Sequence, residues 1–346
     1  MNLGLFLSPG DSLQKQQRSG QLDRLVKYYL QPYSKVFKQI YLFSYEDSGK
    51  RFTLPENLTL VAKPKLILNY LYQLIMVFIH RKIIKTIDVN RVFQAPGGIP
   101  AVMAKVLFKK PYVISNNYDY VRFARVEKRP FLAYLLRLII PLILKSADKI
   151  ITPKIIPNGI DPLVFKPAGQ PEQYLVFSVG RLVRQKNYAL LIKAVSLSRF
   201  KQKIKLVIIG TGPLQLQLQR MAVSSGVNLK LLPNLAHREV LNWYQKAAVF
   251  ALTSQIEGQP KALLEAMSCA RSCLTTAFPG NLIQDQLTGL VGKDARQLAA
   301  KLDQLLTNSA LGQKLGRAAR QKIIKSFDIR KLIKKEIKLL QQTAKQ

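Results

Sequence analysis

The sequence predicts an α/β protein built on two doubly wound parallel sheets, and three observations carry that expectation. Short apolar runs bounded by Gly, Pro, Asn or Ser alternate with longer amphipathic stretches along the whole chain. That is the pattern of strand, crossover helix and parallel strand. The alternation pauses once, at Ile156-Pro157-Asn158-Gly159-Ile160-Asp161 and Phe165-Lys166-Pro167-Ala168-Gly169-Gln170-Pro171, and then resumes. At 346 residues the chain is too long for one ordinary core and suits two domains of about 150–200 residues each.

In the first half, strands are expected over 3–7, 39–44, 58–62, 89–94, 111–115 and 149–152. Helices are expected over 21–37, 65–86 and 131–146, with Ala95-Pro96-Gly97-Gly98 opening another that runs to Phe108, and residues 8–20 read as a polar loop. The Pro- and Gly-punctuated stretch 156–171 is the natural linker. In the second half, strands are expected over 174–179, 205–210, 229–232, 248–253 and 272–275, with an edge strand after Thr288-Gly289. Helices are expected over 188–199, 214–224, 238–246, 260–268, 295–306, 311–325 and 328–342. The domain reading is therefore 1–155, a linker 156–171, a second domain 172–325 and a basic terminal helix 326–346. Two such sheets facing across a cleft bind ligands at the carboxyl ends of their strands.

Lys and Arg number 54 against 19 Asp and Glu, a net charge of +35 shared by both halves. A field of that sign attracts nucleic acid, anionic lipid or phosphorylated small molecules. No nucleic-acid-binding module or aromatic-basic stripe accompanies it, so no specific nucleic acid is expected. Apolar residues make up 48% of the chain, which excludes a disordered protein. Cys269 and Cys273 read as small core residues, and with His80 and His237 the sole histidines, a metal site is not expected. The apolar start, residues 1–9, lacks the basic leader of a signal peptide. The apolar stretches 67–79 and 132–144 are interrupted by Asn69 and Gln73, and by Arg137 and Pro141. Both are shorter than the about 20 residues of a membrane span. A cytoplasmic protein follows, able to rest on the inner face of a membrane. The helices near 66–85 and 131–145 carry apolar faces with basic flanks; they suit either anionic lipid or the core of the first domain.

Three features of the second half follow strands and carry chemistry. Gly180 lets the backbone turn tightly, and Arg181 and Lys186 then suit a diphosphate, one as a fork and one as a point charge. Gly210-Thr211-Gly212-Pro213 lies between a strand and a helix, a phosphate-loop signal that is also a common turn. Glu257-Gly258-Gln259-Pro260-Lys261 runs into Leu264-Glu265-Ala266-Met267. There Pro260 suits the first helical position, and the free N–H groups of the helix start suit an anion. Gly258 allows close backbone approach, and Glu257 and Glu265 are acceptors for sugar hydroxyls. Glu265, on a helix with Leu263, Leu264 and Met267, would be partly buried and want a partner. Thr288-Gly289-Leu290 reads as structural.

The order Ile156-Pro157-Asn158-Gly159-Ile160-Asp161, Gly180-Arg181-Leu182 with Lys186, Gly210-Thr211-Gly212-Pro213, Glu257 to Glu265 and Thr288-Gly289-Leu290 resembles glycosyltransferase family 4. The two acids with seven residues between them match its Glu-x7-Glu motif. The resemblance covers about 150–330 and implies the GT-B fold and a retaining hexosyltransferase. It implies that Arg181 and Lys186 hold the donor diphosphate, with Gly180, Gly210 and Gly212 shaping the loops. Glu265 would bind the ribose, Glu257 would contact the transferred sugar, and the Gly258, Gln259, Pro260 and Lys261 backbone would lie near sugar and phosphate. The donor would be a UDP-, GDP- or ADP-sugar, the acceptor a cell-envelope glycan or lipid-linked sugar, and neither metal nor other cofactor would be needed.

The sequence also departs from that pattern. Where the family often has a His after the strand ending at Ser115, this chain has Asn116-Asn117-Tyr118-Asp119; Asn117 takes the slot and Asp119 is the nearest ionisable group, which makes both catalytic candidates. The loop after the first strand holds only Gly10 and Gly20. Ala270 replaces a common Gly, Ser272 a common Pro and Asn281 a usual Glu. Residues 153–155 pass almost directly into the linker, where the family has a further helix and strand. A catalytically impaired relative that binds a nucleotide sugar or a partner is the alternative these departures motivate. A basic nucleic-acid-binding protein is the alternative motivated by charge. A glycosidase using the two acids would not need Arg181, Lys186 or the glycine loop.

Overall fold

The computed structural model describes residues 1–49 and 52–346. Its strands are β1 (Asn2–Phe6), β2 (Gln39–Ser44), β3 (Leu58–Ala62), β4 (Val89–Val92), β5 (Tyr112–Ser115) and β6 (Lys149–Ile151) in one sheet. The other sheet has β7 (Glu172–Val179), β8 (Lys205–Ile209), β9 (Leu229–Leu232), β10 (Ala247–Leu252), β11 (Ser272–Thr276) and β12 (Leu290–Gly292). The first runs β3-β2-β1-β4-β5-β6, the second β12-β11-β10-β7-β8-β9, and every pairing is parallel. Relabelled by order within each half, both are the same doubly wound sheet.

Alternation along each strand explains why both faces are covered. In the first sheet Leu3, Leu5, Ile40, Leu42, Val89 and Val113 enter one core. Phe6, Phe43, Val92, Tyr112 and Ile114 point the other way into a second. The second sheet repeats this, with Leu175, Phe177, Val207 and Phe250 on one face and Val176, Leu206, Ile208 and Val249 on the other. A strand apolar on both faces is stable only between two helical layers.

The chain divides into two compact units. One holds Met1–Val121, Pro130–Pro157 and Arg330–Gln346; the other holds Arg122–Arg129 and Asn158–Ile329. This departs from the sequence reading at three places, the first being that Arg122–Arg129, expected in the first domain, group with the second unit. The terminal helix, Ile329–Thr343, is no appended basic segment, because Leu332, Ile333 and Leu340 are buried with Leu3, Leu5 and Tyr33. The stretch 156–171 is no free linker either. Asn158 Nδ2 donates to the Gln259 carbonyl at 3.0 Å, and the Ile160 amide donates to the Phe327 carbonyl at 2.8 Å.

Three segments also differ. Residues 65–86 form two helices, Asn69–Ile79 and Arg81–Thr86, broken at His80. His80 is held off the helical path with its ring nitrogen 2.9 Å from the Tyr72 hydroxyl. Residues 21–37 include a π-helical turn, Val26–Leu30, before Gln31–Ser34. Pro32 has no N–H to return to the preceding turn, and a widened turn accommodates its ring. The polar loop 8–20 contains the short helix Leu13–Arg18. It has one buried apolar anchor, Leu13, and is fixed by Ser12 and Asp47, whose carboxylate accepts from the Leu13 and Gln14 amides at 2.7 and 3.0 Å.

Ala270 has φ +54° just beyond helix Lys261–Ser268. This is the left-handed position that favours Gly after a helix. Ala270→Gly is expected to raise stability by about 1 kcal/mol, read as a higher midpoint in urea unfolding with an unchanged slope.

Candidate active site

In the second sheet the strand order reverses between β7 and β10, the place where such sheets bind ligands. The loop after β7 contains 180–186. The loop after β10 runs through 253–260 into helix Lys261–Ser268.

Gly180 sits at φ +152°, and a Cβ there would lie 3.0 Å from the Lys186 side chain and the Tyr188 hydroxyl. The chain then returns through a 3-10 turn, Arg184–Lys186, ended by left-handed Asn187. This turn carries Lys186 back to the second loop. Its Nζ donates to Glu257 Oε1 at 2.6 Å, and the two side chains are 13% and 8% exposed. The Ser254 hydroxyl donates to the same oxygen at 2.7 Å. Gln185 ties the loops further, its Nε2 donating to the Ile256 carbonyl at 2.8 Å and its own carbonyl accepting from the Gln255 amide at 2.8 Å.

Gly210 and Gly212 act on backbone. A Cβ on Gly210 would come within 2.1 Å of the Gly180 carbonyl oxygen, and one on Gly212 within 2.5 Å of the Leu182 carbonyl oxygen. Both glycines let the loop after β8 lie flat against the loop after β7. Gly280 plays the same part for Gly258, since its Cβ would meet the Gly258 carbonyl at 2.3 Å and its φ is +80°.

The second loop ends one residue later than the sequence suggests. Pro260 keeps an extended backbone as the cap, and Lys261, exposed, begins the helix. Gln259 is buried, with its side-chain oxygen accepting from the Asn158 amide. Glu265 is 6% exposed and has the partners its burial demands. Tyr244 donates its hydroxyl to Oε2 at 2.8 Å, and His237 Nε2 lies 3.0 Å from Oε1. Facing a carboxylate, Nε2 is the nitrogen that carries the proton. Burial, then the Glu265 charge, pushes the Tyr244 hydroxyl well above its ordinary range, so it remains a donor. His237 and Tyr244 lie two turns apart on helix His237–Lys246, hence on one face, and the His237 ring leans on Phe165 at 4.9 Å.

Arg181 is exposed, with its guanidinium 5.6 Å from the centre of the Phe123 ring. From the same segment the Glu127 carboxylate accepts from the Gln185 amide at 2.9 Å. The structure thus brings Gly180, Lys186, Gly210, Gly212, Glu257 and Gly258 together around two stitched loops, and roots Glu265 in the neighbouring helix. Asn117 and Asp119 belong to the first unit, on the loop after β5. Asn117 Oδ1 is buried there without a hydrogen-bond partner. Asn281, in the place of a usual Glu, organises its own loop by donating to Thr275 Oγ1 and the Thr276 carbonyl at 2.9 Å each.

Sequence reasoning missed His237, Tyr244, Phe123, Glu127 and Gly280. The seven-residue spacing of His237 and Tyr244 was a usable signal for a shared helix face. Nothing local marks Phe123 or Glu127.

The two doubly wound sheets are those of the GT-B fold, and the proteins that the chain matches make it a glycosyltransferase. Residues 161–322 match the family model of glycosyl transferases group 1. The chain is 28% identical over 276 residues to a Campylobacter jejuni α-1,4-N-acetyl-D-galactosaminyltransferase, covering 73% of this chain and 74% of that protein. That relative is named for a GalNAc-α-(1→4)-GalNAc-α-(1→3)-diNAcBac-PP-undecaprenol substrate. Sucrose-phosphate synthase from Thermosynechococcus elongatus superposes with a TM-score of 0.77 at 16% identity, covering 99% of this chain and 98% of that one. HepE from Anabaena, solved with UDP-glucose, superposes with a TM-score of 0.72 at 14% identity over 99% of each chain.

Proposed function

We propose that this chain is a family 4 enzyme that moves a hexose-type sugar, with retention of configuration, from a nucleotide-sugar donor to a lipid-linked or polysaccharide acceptor of the cell envelope. The observation that carries the donor reading is the Lys186–Glu257 pair at the switch point, with Glu265, on the helix that follows the same loop, held by His237 and Tyr244. A UDP-sugar is the preferred donor, supported by the UDP-glucose bound to HepE. A lipid-linked acceptor is supported by the undecaprenol diphosphate substrate in the name of the Campylobacter relative.

In this reading Lys186 and Arg181 meet the diphosphate, and the amides at the start of helix Lys261–Ser268 add their partial positive charge. Negative charge develops on the departing diphosphate in the transition state, so fixed cations there lower the barrier without a metal. Glu257 holds the sugar and Glu265 accepts from the ribose hydroxyls. Asn117 and Asp119, on the loop after β5, are the candidates of the acceptor-side domain in this reading, and the Asn117 side-chain oxygen is buried there without a hydrogen-bond partner.

The test is a thermal-shift screen against UDP-, GDP- and ADP-sugars, followed by transfer from a labelled donor and NMR of the product anomer. A donor at a hundred times its Kd should add about 2.7 kcal/mol of stability. Activity should persist in EDTA, and the product should keep the donor's anomeric configuration. Glu265→Ala should weaken donor affinity by about tenfold to a hundredfold, since it removes a charged acceptor from buried partners. Unchanged donor affinity in that variant sinks the Glu265 assignment. Donor binding without turnover on any acceptor points to the impaired relative.

A further inference from the structure

We infer that one helical face of the first unit is a docking surface for an anionic phospholipid bilayer. The two apolar stretches that read equally as core or as interfacial are, in the structure, largely uncovered. Helix Pro130–Ser146 buries Ala133 and Ile143. It turns Phe131, Tyr134, Leu135, Leu138 and Leu142 outward, with Phe131 79% exposed. Those positions are spaced as one stripe of an amphipathic helix. Helix Asn69–Ile79 does the same with Tyr70, Leu71, Leu74 and Phe78, and the turn leading into it leaves Leu66 and Leu68 100% and 77% exposed. Helix Ile99–Phe108 packs against both and adds exposed Val106 and Leu107. A soluble surface rarely gathers this much apolar area in one place.

Charge identifies what covers it. The stretches 61–87, 99–110 and 130–147, which hold these helices, contain no Asp or Glu, while they carry Lys65, Arg81, Lys82, Lys85, Lys109, Lys110, Arg137 and Lys145. Apolar side chains rimmed by cations match a bilayer interface with anionic headgroups. A second copy of this chain is a poor occupant, because it would bring like charge against like charge in a protein of net charge +35. Among the described residues no helix is long and apolar enough to cross a membrane, so the contact is one of lying on the surface. The inference extends the lipid-linked acceptor reading by placing the enzyme where such an acceptor resides. It is tested separately, on vesicles that contain no acceptor.

The experiment is flotation of the full chain with vesicles of phosphatidylcholine alone and of phosphatidylcholine with phosphatidylglycerol, at low and high salt. Binding is expected only to the anionic vesicles, weakened by salt as charge contacts are screened. The variant Phe131→Ser/Tyr134→Ser/Leu138→Ser changes only exposed positions and should lose at least about tenfold in binding. Its donor-induced thermal shift should match wild type, which shows that it folds. Arg81→Ala/Lys82→Ala/Lys85→Ala should lose a similar factor at low salt and less at high salt. Three results overturn the inference. The wild type could stay unbound at low salt, the Ser variant could float like wild type, or sedimentation could show a dimer that the Ser variant dissolves.

Discussion

Replacing Lys186 with Met is expected to lower kcat/KM by about a hundredfold to a thousandfold, the loss seen when one preorganised group facing a developing negative charge is removed. Two effects add here. On the proposed donor reading the ammonium that would face the departing diphosphate disappears, and Glu257 loses the partner that balances its carboxylate in a site where it is 8% exposed. A buried acid left with the Ser254 hydroxyl as its described donor is costly, so stability should fall by about 2–3 kcal/mol as well. The two effects separate experimentally. Lys186→Arg keeps the charge and should recover most of the stability while recovering only part of the rate, because a planar fork does not occupy the place of a compact ammonium. Glu257→Gln removes the acid and leaves Lys186 unpaired, and it should restore stability in combination with Lys186→Met. If Lys186→Met kept wild-type kcat/KM, the site would have to be moved away from the β7–β10 switch point.

Much of this was legible in the sequence for one physical reason: parallel sheets declare themselves by strands that are apolar on both faces. A run such as Leu206 to Ile209, bounded by turn signals, is too short for a buried helix and too apolar for a strand with one face in water. The glycines of the loops after β7 and β8 were legible as turn residues, but not what they touch. That Gly210 must be Gly because the Gly180 carbonyl lies against it is a long-range fact. Glu265 was legible as a buried acid that needs partners, and its partners were not, since His237 and Tyr244 reach it only through tertiary packing. The same holds for the terminal helix. Its Lys-rich sequence advertises a solvated surface, and the one acid on its inner face gives no sign of what it will meet.

What Glu336 meets supplies the largest stability prediction. Glu336 accepts from Arg91 Nε at 2.6 Å and from the Tyr33 hydroxyl at 2.6 Å, with the Arg91 and Glu336 side chains 3% and 6% exposed. Arg91 also donates to Ser115 at 2.7 Å. It sits in β4, at the switch point of the first sheet, so the network joins the terminal helix to the loop end of β5. Burial, then the Glu336 charge, holds the Tyr33 hydroxyl well above its ordinary range, so Tyr33 stays a donor. Removing one member leaves an uncompensated charge in a core, worth about 3–5 kcal/mol. Glu336→Ala should therefore lower the unfolding free energy by that amount and free the terminal helix to exchange its amides. Arg91→Leu/Glu336→Leu removes both charges and should cost far less than either single change, because the ion pair itself contributes little over apolar packing. A full double-mutant cycle in urea reads the coupling directly. Additive losses in that cycle would mean the two residues act independently. The terminal helix would then be held by its apolar face, Leu332, Ile333 and Leu340 with Ile337 and Leu339 beside them.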